Sequence, residues 1–92
     1  MFPMVRRMSD QWEFDETRPK SVQIADEVEK RIRSGQYPPN HPIFEVRLLQ
    51  EFGVARETAR KATTVLRNRG LIRTQRGMGS YVNPPDSWVA DE

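Results

Sequence analysis

This 92-residue sequence predicts a mainly α domain: three helices followed by a small antiparallel β-hairpin, an α+β arrangement. Three observations carry that expectation. The stretch Phe52-Gly53-Val54-Ala55-Arg56-Glu57-Thr58-Ala59-Arg60-Lys61-Ala62 reads as a short helix ending, a tight turn at Gly53, and a second helix opening on arginines. An Arg-Gly-Met-Gly turn at Arg76 to Gly79 sits between two short runs of strand composition. Between Gly53 and Val82 there are seven basic residues against one acid, Glu57, a net of +6 in a chain whose overall charge is only +2.

The elements follow in order. Ile24, Ala25, Val28 and Ile32 recur on one face of a helix spanning Pro19 to Ser34. Asp26, Glu27 and Glu29 precede Lys30, Arg31 and Arg33, so the charges complement the helix dipole, and Gly35 supplies the stop. Pro38, Pro39 and Pro42 exclude a helix interior and predict an extended connector, to which Ile43 and Phe44 add a brief strand. Glu45 to Phe52 forms the second helix, with Leu48, Leu49 and Phe52 inward. The third runs from Arg56 to Arg69, burying Ala59, Ala62, Val65 and Leu66, and Gly70 ends it. Leu71 to Gln75 and Ser80 to Asn83 form the hairpin strands, which need the helices to be stable. Helix, brief strand, helix, turn, helix, hairpin is the order of a winged helix-turn-helix.

That domain occupies residues 19–83. Residues 1–18 read as a flexible N-terminal arm, with Trp12 and Phe14 free, docked on the domain, or docked on a partner chain. Residues 84–92 read as a short acidic tail. The longest apolar runs are a few residues, so no membrane-spanning helix and no signal peptide is expected, and the chain reads as cytoplasmic. With no cysteine there is no disulfide framework or cysteine-ligated metal site. His41, the lone histidine, has no partners in sequence for metal binding or catalysis. No nucleophile–base set and no phosphate-binding loop is present, so no catalytic residue, cofactor or metal is assigned and an enzyme is not expected.

A basic block beside an acidic remainder is the footprint of a polyanion-binding protein. Arg56, at the start of the third helix, carries a guanidinium that can fork onto guanine O6 and N7 in the major groove of DNA. Arg60 is one turn later on the same side, and Thr58 between them suits a thymine methyl or a phosphate. Glu57 either accepts from cytosine N4 or stabilises the helix N-terminus. Lys61 and Arg67 suit phosphates, as does Arg73 if its face of the strand is outward. Arg76 at the hairpin tip suits the minor groove, and the Gly77 N–H a phosphate. The competing reading is a winged-helix protein-interaction module without specific DNA binding, its basic face masked by the acidic tail. RNA binding would need aromatic stacking platforms, and Tyr81 alone is not enough.

The sequence resembles the DNA-binding domain of the GntR family of bacterial transcription regulators over residues 20–83. The resemblance lies in Gln23-Ile24-Ala25-Asp26, Ser34-Gly35-Gln36-Tyr37-Pro38-Pro39, Glu51-Phe52-Gly53-Val54, Arg56 to Ala62, Leu66, Gly70-Leu71-Ile72, and Arg76-Gly77 with Gly79 and Tyr81-Val82. It implies a winged helix that binds palindromic operators as a dimer, with Arg56 and Arg60 reading bases, Thr58 in contact and Gly77 in the wing. The chain departs from the family where Leu-Pro-Ser-Glu is usual. Pro42-Ile43-Phe44-Glu45 stands there, Arg47 replaces the following acid, and Val46 stands where an arginine is frequent. Ala55 replaces the usual serine before the third helix. Family members normally continue into a ligand-binding and dimerisation domain. This sequence ends ten residues after Val82, so no small-molecule effector is expected, and any homodimer contact falls to Trp12, Phe14, Trp88, Val89 or the first helix.

Overall fold

The apolar stripe at Ile24, Ala25, Val28 and Ile32 is buried along one side of the first helix, α1, Lys20–Arg33. The structure, a computed structural model, describes residues 12–89. Pro19 stands at the N-cap rather than within the first turn. After α1 come strand β1 (Pro42–Ile43), α2 (Glu45–Phe52), α3 (Arg56–Asn68), β2 (Ile72–Gln75), β3 (Gly79–Val82) and a single 3₁₀ turn at Pro85–Ser87. α3 packs across both α1 and α2. Ile24, Val28, Leu66, Leu71, Ile72 and Val82 are sealed completely or nearly so where the helices meet the sheet. Burying one such side chain contributes about 1.5–3 kcal/mol.

The expected two-stranded hairpin is the greater part of a three-stranded antiparallel sheet of order β1-β3-β2. Pro42 pairs with Tyr81 and Ile43 with Ser80, so the brief strand covers the outer edge of β3. α3 ends one residue before Arg69. Val65 is half-buried rather than buried, while Thr63, which an apolar pattern cannot flag, is only 1% exposed. Its hydroxyl donates to the Arg60 carbonyl at 2.8 Å and lies 3.3 Å from Glu45 Oε2, tying the start of α2 to α3.

Both flanks of the domain are fastened down. The Gln23 amide nitrogen donates to the carbonyls of Asp15 (2.7 Å) and Arg18 (2.9 Å), and its oxygen accepts from the Asp15 N–H. Trp12 sets its ring edge-on to Phe52 at 5.2 Å and to Phe14 at 6.3 Å. Of the segment read as an arm, residues 12–18 are therefore attached to the domain by a buried amide and an aromatic cluster; residues 1–11 lie outside the described residues. At the other end the Val89 N–H donates to the Arg69 carbonyl and the Trp88 indole N–H to the Asn83 carbonyl. Gly70 makes that return possible. Its φ is +75°, and a Cβ there would stand 2.1 Å from the Ser87 carbonyl oxygen. The tail residues 90–92 lie outside the described residues.

Both helices of the turn start without a side-chain cap, as the sequence implied. Phe44 and Ala55 hold extended N-cap backbone but make no capping bond. Ala55→Ser is expected to raise stability by roughly 0.5–1 kcal/mol, because a hydroxyl would satisfy a free N–H of the first turn of α3. A shift of the urea midpoint to higher concentration at constant slope checks this.

Candidate nucleic-acid interface

Three residues separate α2 from α3, and Gly53 is the one that turns the chain. It adopts φ +67° and ends α2 with its N–H on the Leu49 carbonyl. Nothing lies within 4 Å of where its Cβ would be, so conformation rather than crowding calls for glycine. The turn aims the first residues of α3 outward. Arg56, Glu57, Arg60 and Lys61 are exposed.

The helical repeat of about 100° per residue places Arg56, Arg60 and Arg67 within roughly 40° of one another. They border the buried arc of Ala59, Ala62, Thr63 and Leu66. Glu57 and Lys61 lie further round the open face, with Glu57 in the first turn, where an acid complements the dipole. Thr58 is not on the arginine side. It lies about 200° round from Arg56 and is half-buried.

Arg67 links the helix to the hairpin. Its guanidinium donates to Thr74 Oγ1 at 3.0 Å and to Thr64 Oγ1 at 3.2 Å, and Thr74 in turn meets Ser80 at 2.9 Å. The hairpin is thus held against the outer side of α3, while Arg67 stays exposed and, among the described residues, without a carboxylate partner. Arg76 and Gly77 lie at the exposed tip, where Gly77 has φ +78° and Gly79 φ +111°.

Arg73 is placed differently from the cations of α3. It is half-buried, and its guanidinium donates to Asn40 Oδ1 (2.8 Å), Asn83 Oδ1 (3.1 Å) and the Val82 carbonyl (3.2 Å). The side chain faces the loop before β1, where Asn40 holds φ +73°, and its bond to Asn40 ties that loop to the sheet.

The charges divide cleanly. Among the described residues the ion pairs use Arg18, Lys30, Arg31, Arg33 and Arg69, all serving the acids of α1 and Glu51. None involves Arg56, Arg60, Lys61, Arg67, Arg73 or Arg76. Two of these pairings were not foreseen from sequence. Arg69 bridges Asp26 (2.9 Å) and Glu29 (2.7 Å), closing the end of α3 onto α1. Partial burial opposes its charge, but the two carboxylates outweigh that and raise its pKa. Asp26 is likewise pushed upward by burial and pulled below its ordinary value by Arg18 and Arg69. Arg31 forks onto Glu51 and also donates to the Tyr37 hydroxyl at 2.9 Å, joining α1 to α2. The bond to Glu51 is the main cause that raises its pKa, against the opposing effect of burial. The i, i+4 spacing of Glu27 and Arg31 is visible in sequence; the partnership with Glu51, twenty residues away, is not.

His41 stacks on the Tyr37 ring at 4.5 Å, a packing role. Among the described residues no group of three or more His, Cys, Asp or Glu could hold a metal ion, and no helix is long and apolar enough to cross a membrane.

Three helices, a three-residue turn and a hairpin held beside the third helix define a winged helix-turn-helix protein with an open cationic face. Residues 20–82 match the family described as bacterial regulatory proteins, gntR family. The chain belongs to that family, one of regulators and not of enzymes. It is similar to the HTH-type transcriptional repressor NagR of Bacillus subtilis, 32% identical over 68 residues, covering 73% of this chain and 28% of NagR. It is 38% identical over 69 residues to the Glc operon transcriptional activator of Escherichia coli, covering 74% of this chain and 27% of that protein. The chain thus spans little more than a quarter of the length of these relatives. Among solved structures it is similar to the DNA-binding domain of AraR in complex with operator ORX1, with a TM-score of 0.66 and 37% identity, over 75% of this chain and 86% of that one. A GntR family transcriptional regulator from Listeria monocytogenes gives a TM-score of 0.72 at 26% identity, over 79% of this chain and 65% of that one.

Proposed function

We propose that this chain binds double-stranded DNA sequence-specifically and regulates transcription by occupying an operator, with repression as its direct output. The observation that carries this reading is the set of exposed cations on α3 and the hairpin tip that no carboxylate among the described residues neutralises. α3 enters the major groove, Arg56 and Arg60 read base edges, and Lys61 and Arg67 hold phosphates. Glu57 serves the helix N-terminus, or accepts from a cytosine amine where the site offers one. Thr58 approaches DNA only at the margin of the helix. Arg76 enters the minor groove beside the Gly77 N–H. Arg73 supports the sheet from behind. The operator complex of the similar AraR domain supports the assignment of the ligand class.

One recognition helix covers only a few base pairs, so a palindromic site read by two copies about one helical turn apart is the arrangement proposed. The bacterial cytoplasm, where the DNA lies, is the proposed location. About six phosphate contacts are expected to give a slope near −5 in log affinity against log salt. Titration of a duplex recovered by in vitro selection, and of a scrambled duplex, from low to moderate salt checks both the slope and the preference. Equal affinity for the two duplexes would contradict the reading, and failure to retain any DNA at moderate salt would turn it toward a protein partner.

A further inference from the structure

The tip of the wing carries an exposed side chain that charge does not explain. Met78 is 66% exposed, more than Phe44 (52%), Val46 (49%) or Val89 (54%), the other large apolar side chains left in solvent among the described residues. It is presented on a backbone fixed from both sides. Its N–H donates to the Gln75 carbonyl at 2.9 Å, and its carbonyl accepts from the Tyr81 hydroxyl at 2.9 Å. Tyr81 is in turn covered by Arg73, whose guanidinium carbon lies 5.8 Å from the ring centroid. Gly77 and Gly79 flank the methionine with positive φ and open space where a Cβ would be. The turn is therefore narrow on both sides of one long, flexible apolar side chain, and Arg76 stands two residues away.

The sheet brings a second apolar group to the same end. Ile43 of β1 pairs with Ser80 of β3. Phe44, exposed and extended, directly follows that pair at the end of the sheet toward the wing turn. The cation of Arg47 lies 5.9 Å from the centre of the Phe44 ring. Met78 at the wing tip and Phe44 after β1 are thus both exposed apolar side chains, with Arg76 near the first in sequence and Arg47 over the second.

We propose that Met78 is a wedge: the wing seats it in the minor groove beside Arg76, where it presses between two base pairs and loosens their stacking, while Arg47 holds a flanking phosphate. The proposal rests on the DNA-binding reading above and adds a determinant of specificity to it. Apolar side chains that enter the minor groove work this way, and the cost of unstacking is least at pyrimidine–purine steps. Met78 would thus select for a deformable step under the wing without hydrogen-bonding any base.

The test uses a duplex selected with the wild-type chain and 2-aminopurine placed at successive positions beneath the wing. Wild type is expected to raise the fluorescence at one step several-fold, and M78L to keep that rise. M78Q is expected to lose it while keeping the salt slope of the wild type. Exchanging a pyrimidine–purine step for a stiff purine–purine step should weaken wild-type binding about tenfold, the scale of one mismatched pair, and leave M78Q almost unaffected. The wedge is overturned if M78Q unstacks the probe and discriminates steps as wild type does. It is overturned together with the DNA-binding reading if wild type prefers no duplex. An exposed residue on a turn leaves folding intact, so these outcomes are separable.

Discussion

Arg56→Ala is expected to lose about 1–3 kcal/mol of discrimination between selected and scrambled duplex, roughly 5- to 150-fold in relative affinity. Arg56 is the first residue of α3, exposed, and among the described residues its charge has no carboxylate partner, so its fork is available to a guanine edge. Removing it leaves the phosphate-binding Lys61 and Arg67 in place, so binding to scrambled duplex should fall far less and the salt slope change by about one unit at most. Competition titrations with the two duplexes read both quantities. Equal losses on both would make Arg56 a phosphate contact and place base reading elsewhere on the helix.

Arg31→Met is expected to destabilise the domain by about 2–3 kcal/mol without a matching loss of specificity. The Arg31 side chain is 13% exposed, forks onto Glu51, donates from Nε to Glu27 at 3.1 Å, and lies over the rings of Tyr37 and Phe52. Breaking a buried pair by removing one partner costs about 3–5 kcal/mol. Glu51 at 39% exposure can still be hydrated, which sets the expectation lower. For a domain of this size each kcal/mol moves the midpoint by roughly 4–8 °C, so thermal unfolding monitored by circular dichroism resolves the effect. Below that transition the variant should bind the selected duplex within a few-fold of wild type, because Arg31 lies on the α1–α2 contact and not on the open face. A double-mutant cycle with Glu51→Gln isolates the pair. A variant as stable as wild type would mean that the fork only offsets its own desolvation.

The difference between these two arginines shows what the sequence could and could not disclose. The apolar spacing in α1, the glycines at 53, 70, 77 and 79, and the prolines before β1 each act through local backbone preference, and the three helices and the wing were legible from them. So was the crowding of cations between residues 53 and 82, which is a property of composition. What composition cannot show is which cations the fold engages. Arg69 and Arg73 belong to the same run as Arg56 and Arg60, yet one is held by Asp26 and Glu29, and the other by Asn40 and Asn83. Those partners come from α1, the loop before β1 and the end of β3, and only tertiary contact assembles them. Thr63 was hidden for a related reason: a hydroxyl in an apolar arc is satisfied by its own helix and by Glu45. Trp12 and Phe14 gave no period to read, and the place of Trp12 against Phe52 follows from a Gln23 side chain that holds the chain before α1.

Amide chemical-shift mapping during titration with the selected duplex measures the orientation of the bound domain directly. Shifts are expected to concentrate in residues 54–61 at the start of α3 and 76–79 at the wing tip, with the solvent face of α1 around Lys30 and Arg33 left undisturbed. Saturable shifts centred on α1 instead, with the start of α3 silent, would place the DNA on the wrong side of the molecule and contradict the account.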